Sequence, residues 1–178
     1  MNRLDAKNQI LAYCGEEPIN DETSADYVNN KINVSFEPTR KEMLSHGFSF
    51  NTDEVTLSPD VNGQITVPGG TMKIRFPHGY DFLTVREGKV WDNSRQQYWS
   101  SSVRCLITQD IEFEKLPDVF AHWVMVETAL KVYHSLNGVA NPLILDDRRR
   151  AKARALNSEP SNIDNVSGWG RIVAAYGT

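Results

Sequence analysis

The chain has 178 residues and a mass of 20.1 kDa, about the size of one ordinary domain. Hydrophobic residues make up 40% and charged residues 24% of it, which excludes a collagen-like, coiled-coil or wholly disordered protein. The net charge is −4, with 11 acidic and 5 basic residues in residues 1–60 and 12 acidic and 14 basic residues in residues 61–178. This asymmetry is too mild to indicate nucleic-acid binding.

The two cysteines and the apolar runs exclude further classes. Cys14 and Cys105 lie 91 positions apart without a Cys-x-x-Cys motif, which favours two reduced thiols over a zinc or redox site. The longest apolar stretch, residues 119–132, is interrupted by polar residues, and the polar first residues do not resemble a signal peptide. We therefore expect no membrane span and synthesis in the cytoplasm.

Helical patterns come first along the chain. The apolar residues of 3–14 predict a helix that ends at Gly15, since glycine commonly follows the last helical turn. A second helix is predicted over 23–46, with Thr23 or Ser24 as the N-cap. Pro38 interrupts that pattern and predicts a bend or a restart.

From residue 52 to residue 114 the apolar period changes to two, and Pro, Gly and Asn turns separate short runs. This region is predicted to be an antiparallel β-insertion. Helices over 117–137, opened by Leu116 and Pro117, and over 141–156 follow it. The sequence thus predicts an α+β fold, a bundle of about four helices with an inserted β-region, in which residues 1–156 form one domain and residues 157–178 a tail.

The chain has few signs of catalytic chemistry. The four histidines are scattered without metal-box spacing, there is no Gly-x-Ser-x-Gly elbow, and Gly168-Trp169-Gly170 lacks the features of a phosphate-binding loop. We expect no catalytic, cofactor or metal site.

One acidic cluster leaves an alternative open. Asp110, Glu112 and Glu114 alternate with apolar residues, which predicts three carboxylates on one strand face about 6.6 to 7 Å apart. That spacing suits an inverting glycan hydrolase. A strand with one solvated face has the same pattern, and we favour that interpretation.

Basic and aromatic residues are candidates for contacts with partners. Arg148, Arg149 and Arg150, followed by Lys152 and Arg154, form the densest basic segment, but a helix points them in at least three directions. We favour a solvated helix end or salt bridges between subunits over DNA binding. Aromatic residues near a loop of the β-insertion are candidate interface anchors, as are aromatic residues of the tail. These anchors are Trp91, Trp99, Trp169 and Tyr176.

Three stretches give the chain a family likeness. They are residues 45–51, Ser-His-Gly-Phe-Ser-Phe-Asn; residues 55–60, Val-Thr-Leu-Ser-Pro-Asp; and residues 113–124, which begin Phe-Glu-Lys-Leu-Pro-Asp. In this order and separation they resemble the tail tubular protein A family, the head-to-tail adaptors or gatekeepers of short-tailed podovirus-type phages. The likeness covers about residues 3–157. Its structural motif residues are Gly47, Phe48, Phe50, Leu116, Pro117, Phe120 and Trp123.

The resemblance implies a structural protein of the phage virion, without enzymatic activity. It implies a ring of about twelve copies between the portal protein and the tail nozzle, tail tubular protein B, with tail fibres as a further candidate partner. Double-stranded DNA would pass through the ring during ejection, and weak charge suits passage because a strongly cationic wall would retain DNA. A glycan-degrading tail enzyme and a small DNA-binding regulator remain the alternatives.

Overall fold

The computed structural model describes residues 1–24 and 26–160. This part of the chain divides into two compact units, which we call the helical unit, residues 1–46 with 111–159, and the β unit, residues 47–110. Helices and antiparallel sheets are both present, so the predicted α+β class is confirmed.

The helical unit is organised around one apolar helix. Its elements are α1 (Arg3–Cys14), α2 (Tyr27–Leu44), a short 3-10 helix (Phe113–Lys115), α3 (Asp118–Asn137) and α4 (Pro142–Ser158). Helix α3 packs against each of α1, α2 and α4. Its side chains are buried on several sides, and a helix that is apolar almost all round belongs at the centre of a bundle.

Local signals define most helix ends. Gly15 adopts φ 78° and donates its N–H to the carbonyls at the end of α1, as the sequence predicts. Asn141 caps α4 and Pro142 occupies its first turn.

The predicted cap of α2 is wrong. Asp26 is the N-cap, and its carboxylate accepts hydrogen bonds from the backbone N–H groups of Val28 and Asn29 at 2.8 and 3.0 Å. The backbone and hydroxyl of Thr23 instead bind the Asp21 carboxylate, so Thr23 belongs to the preceding loop. Helix α2 therefore starts at Tyr27 rather than at residue 23, and it ends at Leu44.

Helix α2 runs through Pro38 as one helix and does not restart there. Proline cannot donate a hydrogen bond to the carbonyl four residues before it, which here belongs to Val34. Val34 is 76% exposed and Pro38 is exposed, so this part of the helix faces solvent. Water can hydrogen-bond to the freed carbonyl, which explains why the proline is tolerated.

The β unit contains two three-stranded antiparallel sheets. Its strands are β1 (Thr52–Leu57), β2 (Thr71–Arg75), β3 (Leu83–Arg86), β4 (Lys89–Asp92), β5 (Gln97–Tyr98) and β6 (Val103–Gln109). The strand orders are β1-β6-β2 and β3-β4-β5. The unit has its own buried cluster of Ile65, Leu83, Val90 and Val103.

The predicted acidic strand after β6 is wrong. Strand β6 ends at Gln109, and residues 113–115 form the 3-10 helix. Phe113 is 2% exposed and its ring packs edge-on against Phe36, with centroids 4.8 Å apart. Burial of this ring sets the local backbone, while Glu112 pairs with Lys115 at 2.8 Å on the surface. The carboxylates of residues 110, 112 and 114 therefore do not share a strand face. The spacing of about 6.6 to 7 Å predicted for a glycan hydrolase does not apply to them.

The thiols provide a direct probe of the β unit. Cys105 is fully buried in β6, and burial raises the pKa of its thiol to about 11. Since the thiolate is the reactive form, we expect a maleimide at pH 8 to label native Cys105 at least about 100-fold more slowly than the urea-unfolded chain. Cys14, which is half-buried, serves as the internal reference. Equal native labelling of the two thiols would contradict the packing of β6.

None of the described helices is long and apolar enough to cross a membrane.

Candidate assembly surfaces

The β unit begins with a backbone turn that requires glycine. Gly47 has φ +81°, a conformation that other residues rarely adopt. A Cβ at this position would lie 3.1 Å from the hydroxyls of both Thr52 and Thr108. Gly47 thus lets the chain pass closely over the β1–β6 pair.

Asn51 holds this turn against β6. Its side-chain oxygen accepts a hydrogen bond from the Phe48 N–H at 2.7 Å, and its side-chain nitrogen donates to the Gln109 carbonyl at 3.1 Å. The rings of Phe48 and Phe50 stack with centroids 5.7 Å apart. Residues 45–51, one of the three stretches of family likeness, therefore contain a turn in which Asn51 hydrogen-bonds to Phe48 and Phe48 stacks on Phe50.

The Leu-Pro motif positions the start of α3. The Pro117 carbonyl accepts hydrogen bonds from the N–H groups of Phe120 and Ala121, and Leu116 is 5% exposed. Phe120 and Trp123 are buried one turn later, with ring centroids 6.4 Å apart. This motif is part of the helical core rather than of a surface.

The two tryptophans of the β unit lie in different environments. Trp99 packs against the buried cluster of the unit and makes edge contacts with Tyr80 and Phe82. Trp91 is half-buried and contacts Tyr98 edge-on at 5.0 Å. Trp91 pairs with Tyr98 across strands β4 and β5, so these two side chains lie on the same face of the sheet. Trp99 follows Tyr98 in the chain and points to the opposite face, toward the core, while Trp91 faces outward.

Cations cover the outward rings. The Arg86 guanidinium lies 4.8 Å from the centre of the Trp91 ring, and the Lys89 ammonium lies 5.5 Å from the Tyr98 ring. The Tyr98 hydroxyl donates to Glu87 at 3.1 Å, and this hydrogen bond raises the tyrosine pKa. Trp91 therefore remains a candidate interface residue, on a face of mixed charge.

Acidic residues of the chain pair with two of the five cations of the basic segment on α4. Arg148 pairs with Glu127 of α3 at 2.7 Å, and Arg150 pairs with Asp146 and Asp147 at 2.6 and 3.0 Å. Arg149 is exposed and makes no ion pair within the described part of the chain. The segment is thus a partly neutralised helix surface rather than a concentrated phosphate-binding one.

Trp169 and Tyr176, the predicted interface residues of the tail, lie outside the described residues. Among residues 1–24 and 26–160, no group of His, Cys, Asp and Glu is arranged to hold a metal ion.

Sequence reasoning missed the buried polar anchors of the α1–α2 loop. Lys7 is 2% exposed, and its ammonium donates to the Glu22 carbonyl at 3.1 Å. Burial lowers its pKa even though the Glu22 carboxylate lies nearby. Asn29 is fully buried and donates to the carbonyls of Glu22 and Ser24. These contacts fix a loop that the pattern of apolar residues does not specify.

Sequence reasoning also missed exposed apolar residues on the helical unit. Tyr27 and Val34 of α2 are 65% and 76% exposed, and Leu143 of α4 is 73% exposed. Val139, just before α4, is 63% exposed. Exposed apolar residues grouped on a surface mark candidate contacts with other proteins.

Two comparisons with known proteins agree with one another. A family model described as tail tubular protein matches residues 4–162. A curated relative, tail tubular protein A of Klebsiella phage KP34, is 32% identical over 143 residues, which cover 79% of this chain and 77% of the relative. The chain therefore belongs to the tail tubular protein family and is a structural protein of the phage virion's tail.

Proposed function

We propose that the chain is the ring-shaped adaptor between the portal and the tail nozzle, a conduit through which the genome leaves the head. The observation that carries this proposal is the exposure of apolar residues on two different helices, α2 and α4, of one compact unit. A contact between two different faces is heterologous, and repeating it generates a ring when the rotation closes.

The distribution of charge supports a conduit rather than a DNA clamp. The β unit carries 7 acidic and 6 basic residues, and residues 1–46 with 111–159 carry 15 acidic and 12 basic residues. A protein that neutralises many phosphates releases counterions and binds DNA tightly. Near-neutral units avoid such retention and suit the passage of duplex DNA.

Contacts with the portal and with the nozzle, tail tubular protein B, are part of the proposal. Residues 1–156 would form the adaptor body, and residues 157–178 would form a docking tail whose apolar members include Trp169 and Tyr176. Since α4 continues to Ser158, a truncation that removes this tail is best made after residue 160. Tail fibres are a further candidate partner.

The mass of the purified full-length chain tests the ring. We expect particles that, with rising concentration, approach about 240 kDa, twelve times the chain mass of 20.1 kDa, in light scattering and native mass spectrometry. The same particles should not retain duplex DNA in a filter-binding titration at about 0.15 M salt. A stable monomer that binds duplex DNA with submicromolar, salt-dependent affinity would instead support the regulator.

A further inference from the structure

Helix α2 carries a stripe of three exposed residues and one half-buried lysine. We define the α2 stripe as Tyr27, Lys31, Val34 and Pro38, whose separations of four, three and four residues place them on one helix face. Tyr27 and Val34 are 65% and 76% exposed, and Pro38 is exposed. The Lys31 ammonium lies over the Tyr27 ring at 5.5 Å.

Helix α4 carries a second stripe with almost the same spacing. We define the α4 stripe as Leu143, Asp146, Arg150 and Arg154, with separations of three, four and four residues. Leu143 is 73% exposed, and the side chains of Asp146 and Arg150 are 58% and 60% exposed. Val139, 63% exposed, precedes the stripe by four residues.

We propose that the α2 stripe of one copy docks, antiparallel, on the α4 stripe of a second copy. With Val34 opposite Leu143, Pro38 faces the non-helical segment just before α4, which contains Val139. On the other side Lys31 lies opposite Asp146, and Tyr27 lies opposite Arg150. These pairs can form together because the distances along the two helices are equal. Val34 to Tyr27 on α2 and Leu143 to Arg150 on α4 each span seven residues, about 10.5 Å of helix.

Each of these pairs is chemically complementary. Apolar residues meet apolar residues at one end, and a lysine meets an aspartate in the middle. The Arg150 guanidinium reaches an exposed tyrosine ring, a cation–π contact of the kind that Lys31 already makes within the chain. A large exposed aromatic residue and an arginine are also typical members of protein interfaces.

Charge selects the antiparallel orientation. The sequence between α1 and α2, residues 15–26, contains five acidic residues and no basic residue. Antiparallel docking brings the basic half of α4, which continues through Lys152 to Arg154, toward this loop. Parallel docking with Tyr27 opposite Leu143 would instead place Arg150 against Val34 and Arg154 against Pro38. The antiparallel helix dipoles add a smaller favourable contribution.

The two stripes differ, so the contact is heterologous and every copy offers one stripe of each kind. Such a contact continues from copy to copy until the ring closes. This inference rests on the proposed ring and names the surfaces that join its subunits. A two-fold dimer through α2 alone is disfavoured because it would bring Lys31 of each copy near Lys31 of the other.

Two variants, each damaged in one stripe, test the inference. We expect Val34→Glu and Leu143→Glu each to raise the midpoint concentration of assembly of the full-length chain at least about tenfold, because each buries a carboxylate. Both positions are largely exposed in the single chain, so melting temperatures should remain within about two degrees of the parent chain. Val61→Glu, at a fully exposed valine of the β unit, is the matched control and should assemble normally.

Mixing the two variants separates this contact from other ways of associating. The Val34→Glu chain retains an intact α4 stripe, and the Leu143→Glu chain retains an intact α2 stripe. Together they should form a 1:1 dimer of about 40 kDa, twice the 20.1 kDa chain, that cannot grow because both remaining stripes are damaged. A mixture that remains monomeric would overturn the proposed pairing.

A charge swap tests the register. Lys31→Glu and Asp146→Lys should each weaken assembly by about threefold to fivefold, and the double variant should assemble better than Asp146→Lys alone. Recovery is expected to be partial, because Asp146→Lys also removes the pair between Asp146 and Arg150 within the chain. Recovery in the double variant is not expected from two independent structural defects. Additive losses would overturn the pairing of Lys31 with Asp146 and with it the register.

The outcomes distinguish this inference from the proposed function. Rings that form normally with Val34→Glu and Leu143→Glu would overturn the stripe contact and leave the adaptor proposal standing. Loss of assembly in Val61→Glu as well would attribute the effect to added charge and would also overturn the contact. A parent chain that never assembles would overturn the ring and this interface together.

Discussion

Replacing Trp123 by alanine is expected to lower the free energy of unfolding of the helical unit by about 3 to 5 kcal/mol. Trp123 is 7% exposed and lies on α3, the helix against which the other three pack. Removing the indole leaves a cavity beside Phe120 that the surrounding helices can fill only in part. Thermal melts and urea titrations followed by far-ultraviolet circular dichroism measure the loss, because the signal comes mainly from the helices.

Trp91→Ala is a control for the loss of a tryptophan outside the helical unit. Trp91 is half-buried on the outward face of the β unit, so its removal should change the melt of the helical unit little. The expected order is therefore a large loss for Trp123 and a small one for Trp91. A melt that Trp123→Ala leaves unchanged would contradict the central position of α3.

Replacing Asn51 by alanine is expected to cost the β unit about 2 to 4 kcal/mol. The side chain is 1% exposed and joins the Phe48 N–H and the Gln109 carbonyl. Alanine leaves the buried Phe48 N–H without this partner, at about 1 to 3 kcal/mol, and removes the part-buried hydrogen bond to the Gln109 carbonyl, at about 1 kcal/mol. Native-state labelling of Cys105 provides the measurement, since this thiol lies on β6 and reacts when the strand opens.

Asn51→Asp is a second variant at the same position. Aspartate keeps an oxygen for the Phe48 N–H, but it cannot donate to the Gln109 carbonyl and it buries a carboxylate that faces that oxygen. We expect Cys105 labelling to accelerate in both variants. Labelling as slow as in the parent chain would show that Asn51 does not hold the turn to β6.

Signals confined to a few consecutive residues predicted much of the fold. Glycine at the end of α1 and Asn-Pro at the start of α4 determine helix ends through hydrogen bonds and dihedral angles within one turn. The Leu116-Pro117 motif likewise marks the start of α3, which begins at the next residue. Alternation of apolar residues predicted β6, because side chains along a strand point to opposite faces in turn. It did not predict that residues 105–108 of this strand are buried on both faces.

The predictions were wrong where other groups compete for the same residues, whether those groups lie nearby or far away in the chain. Thr23 is a good helix cap by type, yet the Asp21 carboxylate binds it and Asp26 takes the cap. Alternation in residues 110–114 resembles a strand, but the packing of Phe113 against Phe36, 77 positions earlier, produces a 3-10 helix. A local pattern carries no information about such a partner.

The candidate surfaces depended on tertiary structure even more strongly. The sequence by itself determined the secondary-structure class, the main helices and, through three short stretches, the family, because these follow from local hydrogen bonding, apolar period and residue identity. Only the tertiary structure decided that Trp99 is in the core while Trp91 faces outward, and that Glu127 neutralises Arg148. It also decided that Val34 and Leu143 stay exposed, since burial of an apolar side chain depends on which helix face meets a neighbour, and that is a property of the packed chain.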